Sequence, residues 1–357
     1  MGTDAAAPAG AWLRENAWAP EDYLVSLYKS HQVVIFGEQH NIHEHKTFVA
    51  GLLGRLYSEA DVQCLAWEFS CPEDNDRLQH LVTADTFDEA ALLALARDQY
   101  LDWNSADHWD LVREVWGVNQ ARPVGKAPMR MVGLRSRWVI DAHQEICSMT
   151  PGSPRYWELL ALVGREDDAG MAGQVEREII TRGVKGFVFV GQAHDMTKYE
   201  YPAEPPKWLL KRLPMESMPA DFFPADKPWR TTMGRLLYQK YADRVFQVCP
   251  YAGLFPDIEK VMAEANLGKA GFTVEGGPFA DMKAGSGFYD TPMKLLAQGF
   301  VYLGPRSTLH ANRVIRGFVS QEMFERHRAY YERDYSRCFV NAQDVDEHLQ
   351  KHRWRAP

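Results

Sequence analysis

Two apolar runs in this chain end in the same way. Val33-Val34-Ile35-Phe36 leads into Gly37-Glu38-Gln39-His40, and Phe187-Val188-Phe189-Val190 leads into Gly191-Gln192-Ala193-His194. A continuous run of β-branched and aromatic residues suits a strand buried on both faces, as in a parallel sheet. The glycine permits a sharp turn, and the histidine follows just past the strand's carboxyl end. In open α/β sheets that edge is where ligands bind. Two strands therefore bring imidazoles to one rim, and imidazole serves as a metal ligand, a general base or both. The competing explanation for either copy is an ordinary strand-to-helix turn whose histidine bonds backbone.

After the first copy, Asn41-Ile42-His43-Glu44 has the pattern of a helix start, with Asn41 as N-cap and Glu44 at the third helical position. Phe48, Val49, Leu52, Leu53 and Leu56 then recur at helical spacing and form a stripe facing the sheet. His45 shares that stripe and is expected to point inward beside His40, whereas His43 falls off it and is expected to face solvent. The next apolar run, Gln63 to Phe69, closes with Glu68, a carboxylate that is costly to bury unless paired or metal-bound.

These residues carry a resemblance. Gly37-Glu38-Gln39-His40 with His45 five residues on, an acid closing the second strand, and a later strand ending in Gly191-Gln192-Ala193-His194 resemble the ChaN / erythromycin-esterase / TIKI–TraB superfamily. Asp102-Trp103 through His108-Trp109 resembles the Trp-rich segment of the ChaN-like branch, and Asp168-Ala169-Gly170-Met171-Ala172 the D-x-x-M-A segment of the esterase branch. The resemblance spans residues 23 to 194, and more loosely reaches 251. It implies an α/β fold with the site at the strand ends. The superfamily holds haem-binding lipoproteins, macrolide esterases and metal-dependent peptidases, so it leaves the activity open.

The expected fold is a mostly parallel, helix-covered sheet with its site at the carboxyl ends of the strands and a C-terminal elaboration. Further strands are expected over Met129–Leu134 and Arg244–Cys249, with edge strands near Phe272–Val274 and Gly299–Leu303. A core over residues 20–255 and an extension over 256–357, completing or packing on the same domain, describe the organisation. A formal charge of −8 excludes a general phosphate-backbone binder. The basic tail, residues 351–355, is too short to change that. No apolar stretch approaches the length of a membrane span, and no export signal opens the chain, which departs from the lipoprotein branch. Five scattered cysteines without metal spacing fit a cytoplasmic, reducing location.

The leading expectation is a hydrolase acting on an ester or amide of a small molecule or peptide. His40, Glu68 and His194, with His45 as a fourth ligand or a base, form a nitrogen-and-oxygen set suited to Mn, Fe, Co or Zn. Glu38 is close enough to the turn to accept a proton. Without a metal, His40 itself activates water, oriented by a carboxylate. Arg135 and Arg137, after the third strand, are candidates to bind a substrate anion or to hold Glu68 ionised. Trp103, with Trp109 and Trp116, is a candidate pocket wall, and Asp195 either orients an imidazole or caps a helix. No G-x-S-x-G elbow is present, which disfavours a serine nucleophile. The alternatives are a haem- or other cofactor-binding protein of the ChaN type, with Tyr199 or a rim histidine as axial ligand, and a metal-dependent biosynthetic enzyme.

Overall fold

The computed structural model describes residues 3–352 except 206, 212, 224–225, 286–287 and 289–290. Most of the basic tail therefore lies outside the described residues. Seven strands form one sheet: β1 (Val33–Glu38), β2 (Val62–Trp67), β3 (Arg130–Gly133), β4 (Lys185–Gly191), β5 (Val245–Pro250), β6 (Ala270–Thr273) and β7 (Gly299–Tyr302). Their order is β3-β2-β4-β1-β5-β7-β6, and only β6 runs antiparallel to its neighbour. This is the mostly parallel α/β architecture that the apolar runs call for. β6 and β7, from beyond residue 255, extend the same sheet.

Every residue of β1 and β5 is buried, as is fitting for central strands covered on both faces. The alternation along the strands sorts the core. Val34, Phe36, Leu65, Phe187 and Phe189 pack with Val49, Leu52, Leu53 and Leu56 of the helix His43–Glu59. Val33, Ile35, Ala66, Val188 and Val190 pack on the opposite face with Met171 and Val175 of the helix Pro154–Val175 and Leu237 of the helix Met233–Tyr241.

That division fixes where a site can form. The chain leaves β1 toward β2 on one side and leaves β4 toward β5 on the other, and the two strands are neighbours. With right-handed crossovers the connections depart on opposite faces, so a crevice opens between the carboxyl ends of β1 and β4. Glu38 pairs in register with Gly191, which puts the two glycine–histidine turns side by side. No described helix is long and apolar enough to cross a membrane.

Candidate active site

The two turns accommodate each other through their glycines. A β-carbon on Gly191 would lie 2.4 Å from His40 Cε1, 2.9 Å from its Nε2 and 3.2 Å from Glu68 Oε2. The His40 imidazole and the Glu68 carboxylate thus border one point above Gly191. Reciprocally, a β-carbon on Gly37 would fall 1.8 Å from Asp195 Oδ2, the residue after His194. Each glycine makes room for the other motif's side chain, which explains why both are needed.

His40 is oriented by Glu38. Its Nδ1 donates to Glu38 Oε1 at 2.5 Å, and more than a third of its side chain is solvent-exposed. Glu38 itself is buried, with Lys46 Nζ 2.5 Å from Oε2 and His108 Nε2 3.4 Å from Oε1. Burial would raise the Glu38 pKa, but the Lys46 ammonium and then His40 outweigh it and hold the carboxyl well below its usual range. Trp103 stands edge-on to His40 with ring centroids 4.9 Å apart, and Phe69 stacks on Trp103. Of the three tryptophans, Trp103 walls the site, whereas Trp109 packs on Trp67 and Trp116 on Phe87.

His194 is held by a second carboxylate. Its Nδ1 donates to Asp168 Oδ1 at 2.8 Å, and Asp168 also accepts from the Met233 amide and from Arg230. On the other side of the ring, Arg135 Nη2 lies 3.1 Å from Nε2 and Glu68 Oε1 lies 3.5 Å from it. Glu68, just past the end of β2, is clamped by Arg135 at 2.9 Å and by the Gly191 amide at 2.7 Å. Burial opposes its charge, yet Arg135, then His194 and His40, bring its pKa down to about 2. Asp168 is likewise brought down to about 2 against burial, by His194 and Arg230. Arg135 is saturated by Asp167, Glu68 and the Tyr100 hydroxyl.

The structure therefore gathers Glu38, His40, Glu68, His194, Arg135 and Trp103 at the rim, and sets other expected residues elsewhere. His45 is buried on its stripe as expected, but its Nδ1 accepts from the Gln39 amide at 3.0 Å and its Nε2 donates to the Tyr251 carbonyl at 3.1 Å. Neither nitrogen is left for a metal or a proton. The helix starts at His43, one residue later than the capping pattern places it, with Ile42 at the N-cap and the Glu44 carboxylate bound to the His310 amide and ring. His43 consequently meets Asp107 at 2.8 Å instead of facing open solvent. Arg137 is taken up by Asp74 at 2.5 Å and by the Asp98 carbonyl. Tyr199 packs its ring on Tyr201 and Phe288. Asp195 bonds Gln247 and not an imidazole, since adjacent residues of the turn Gln192–Asp195 point about 100° apart.

Sequence reasoning missed Lys46, His108, Arg230 and the orienting role of Asp168. A lysine on the buried side of an amphipathic helix was a readable signal for a buried acid; the others meet the site only through the fold.

Two buried neutral histidines set an acid limit on stability. Burial, then the neighbouring Lys46 charge, pushes both His45 and His108 down to about 4 from an ordinary 6.5. Between those values the unfolded chain binds protons that the folded chain does not, so stability is complete above pH 6.5 and falls as pH drops toward 4. Each loss amounts to about 3 kcal/mol by linkage. Glu68 and Asp168, lowered to about 2, remove further stability below their ordinary values of 4.5 and 3.8. Urea midpoints at pH 7.5, 5.5 and 4 should decline in that order, and a flat profile would contradict the assignment.

No protein-family description and no curated protein matches this chain. Among solved structures, a Bacillus cereus protein is 11% identical over 87% of this chain and 99% of its own, with a TM-score of 0.59. A succinoglycan biosynthesis protein is 10% identical over 88% and 100%, with a TM-score of 0.58. An erythromycin esterase in its open conformation is 11% identical over 79% and 93%, with a TM-score of 0.49. At these identities the likeness is one of fold. The α/β architecture is shared with the first two over nearly their whole lengths, and the chemistry has to be argued from the site.

Proposed function

We propose that this chain is a hydrolase of an ester or amide, in a small molecule or peptide, in which His40 activates water without a metal. The observation that carries this reading is the Glu38–His40 pair. Because Nδ1 donates to a buried, ionised carboxylate, Nε2 carries the lone pair, on a side chain that is more than a third exposed. Nε2 takes the proton of a water as that water attacks the acyl carbon, and Glu38 steadies the imidazolium formed. Across the rim, Arg135 keeps Glu68 ionised and lies against Nε2 of His194. The His40 imidazolium then returns that proton to the leaving atom, and His194, with Asp168 on Nδ1 and Arg135 and Glu68 beside Nε2, borders the same rim.

A metal-assisted version is the second reading, because Glu38, His40 and His108 bring ligand atoms within 4.8 Å of one another. The charges around this group fit a divalent cation poorly. Lys46 is fully buried and already neutralises Glu38, so a cation there would stand beside an ammonium. The ligand set first expected, His40, His45, Glu68 and His194, is committed to backbone, arginine and carboxylate partners. Haem binding through Tyr199 has no comparable support, as that ring sits among Tyr201 and Phe288. In the cytoplasm the five cysteines, none of them in a disulfide, would remain thiols.

The test is turnover of a panel of aryl esters, lactones and peptide amides by the full chain. Hydrolysis of at least one class is expected, and none across the panel overturns the reading.

A further inference from the structure

We infer that Asn312, from the part of the chain beyond the last strand, is a positioning residue for His40; the catalytic meaning of this inference rests on the hydrolase reading above. His40 follows the end of β1 by two residues and lies in a loop, where the backbone is only as well fixed as its contacts make it. Glu38 orients the ring, but something else must hold the backbone. Asn312 Nδ2 donates to the His40 carbonyl at 2.6 Å and to Ser105 Oγ at 2.8 Å. Ser105 Oγ is 2.8 Å from His108 Nδ1, and His108 Nε2 reaches toward Glu38 Oε1. One amide thus joins the backbone of His40 to the far end of the chain of contacts that closes on the carboxylate orienting its ring.

The rest of the segment keeps that amide in place. The His43 amide donates to the His310 carbonyl, and Ile42 bridges Ala311. On the other side the Ala106 amide donates to the Arg313 carbonyl, the Ile315 amide to the Asn104 carbonyl, and Ser105 bridges Val314. Residues 310–315 therefore lie as a strap between the His40 loop and the start of the helix Ala106–Gln120. Arg313 adds bonds to Asp107 and Asp110, but it is more than half exposed, so those contribute little. Asn312 is different: it is buried, and its Oδ1 has no hydrogen-bond partner. Burying an unsatisfied carbonyl is unfavourable, so an apolar residue of that shape would serve a merely structural strap better. The donors on Nδ2 account for an amide here.

The experiment is nitrogen-15 NMR of the full chain with labelled histidine, the His40 signals being assigned by their loss in His40→Asn. In the parent chain His40 should show one tautomer, protonated at Nδ1. Asn312→Leu and Asn312→Asp, both close in shape and lacking the donors, should convert it to a tautomer mixture. Either variant should lower kcat about 10- to 100-fold with KM within about twofold. Arg313→Ala, which cuts the strap's outer ion pairs, should leave the His40 signals at their parent positions. An unchanged His40 tautomer in whichever Asn312 variant folds overturns the inference, as does a tautomer change of equal size in Arg313→Ala. If the parent chain hydrolyses nothing, the hydrolase reading falls, and the NMR result still decides whether Asn312 positions His40.

Discussion

Replacing His40 with asparagine lowers kcat on the best ester of the panel by about 10²- to 10⁴-fold, the range for loss of a general base. The thermal midpoint stays within a few degrees of the parent. The reason is geometric: His40 is partly exposed at the rim, and its side chain makes one hydrogen bond to Glu38 and meets the rings of Trp103 and Phe69 edge-on, while the backbone bond from Asn312 survives the change. Removing the imidazole leaves Glu38 paired with Lys46, so no buried charge is stranded. Steady-state kinetics beside a thermal melt checks both halves. Unfolding of the variant would show that His40 supports the structure, and unchanged kcat would show that another group takes the proton.

Lys46 to methionine has the opposite profile. The Lys46 side chain is fully buried and closes on Glu38, the Gln39 carbonyl and the Ile42 carbonyl. Methionine fills much of the same volume but leaves the Glu38 carboxylate buried without its counter-ion. Breaking a buried pair in this way costs about 3–5 kcal/mol. Pairing the change with Glu38→Gln removes the stranded charge and should recover most of the loss in urea-unfolding midpoint. It should not recover turnover, because a neutral amide cannot stabilise the His40 imidazolium. A Lys46→Met chain as stable as the parent would mean that Glu38 is not held ionised by this lysine.

Much of the sheet was legible because its signal is local. β1 and β4 are unbroken apolar runs closed by glycine, and their pairing in register, Glu38 opposite Gly191, follows once both are strands of one parallel sheet. The convergence of His40, Glu68 and His194 was legible for the same reason, since strand ends share an edge. The helix start was legible to within one residue, but the partner of Glu44 was not, since Glu44 in the fold binds His310, 266 residues away. His45 was read correctly as inward-facing and wrongly as reaching the site: facing the core on a helix also means facing the backbone beneath it. Arg135 and Arg137 were both candidates for the rim, and only Arg135 reaches it, because a helix begins at Arg137 and that side chain goes to Asp74 and the Asp98 carbonyl. Partners such as Asp168, Arg230 and Asn312 come from segments whose position depends on the whole topology. Asp168 was visible only through the D-x-x-M-A resemblance, which gave no role for it.

The central claim is that His40, oriented by Glu38, activates water with no metal in the site. It is tested most directly by ester turnover of the full chain after exhaustive chelation, with residual metal quantified per chain. The account predicts kcat within about twofold of the untreated protein at well under a tenth of a metal ion per chain, and no gain on adding Mn, Fe, Co or Zn. Activity that disappears on chelation and returns with one of those ions would contradict it, and would assign Glu38, His40 and His108 as ligands instead.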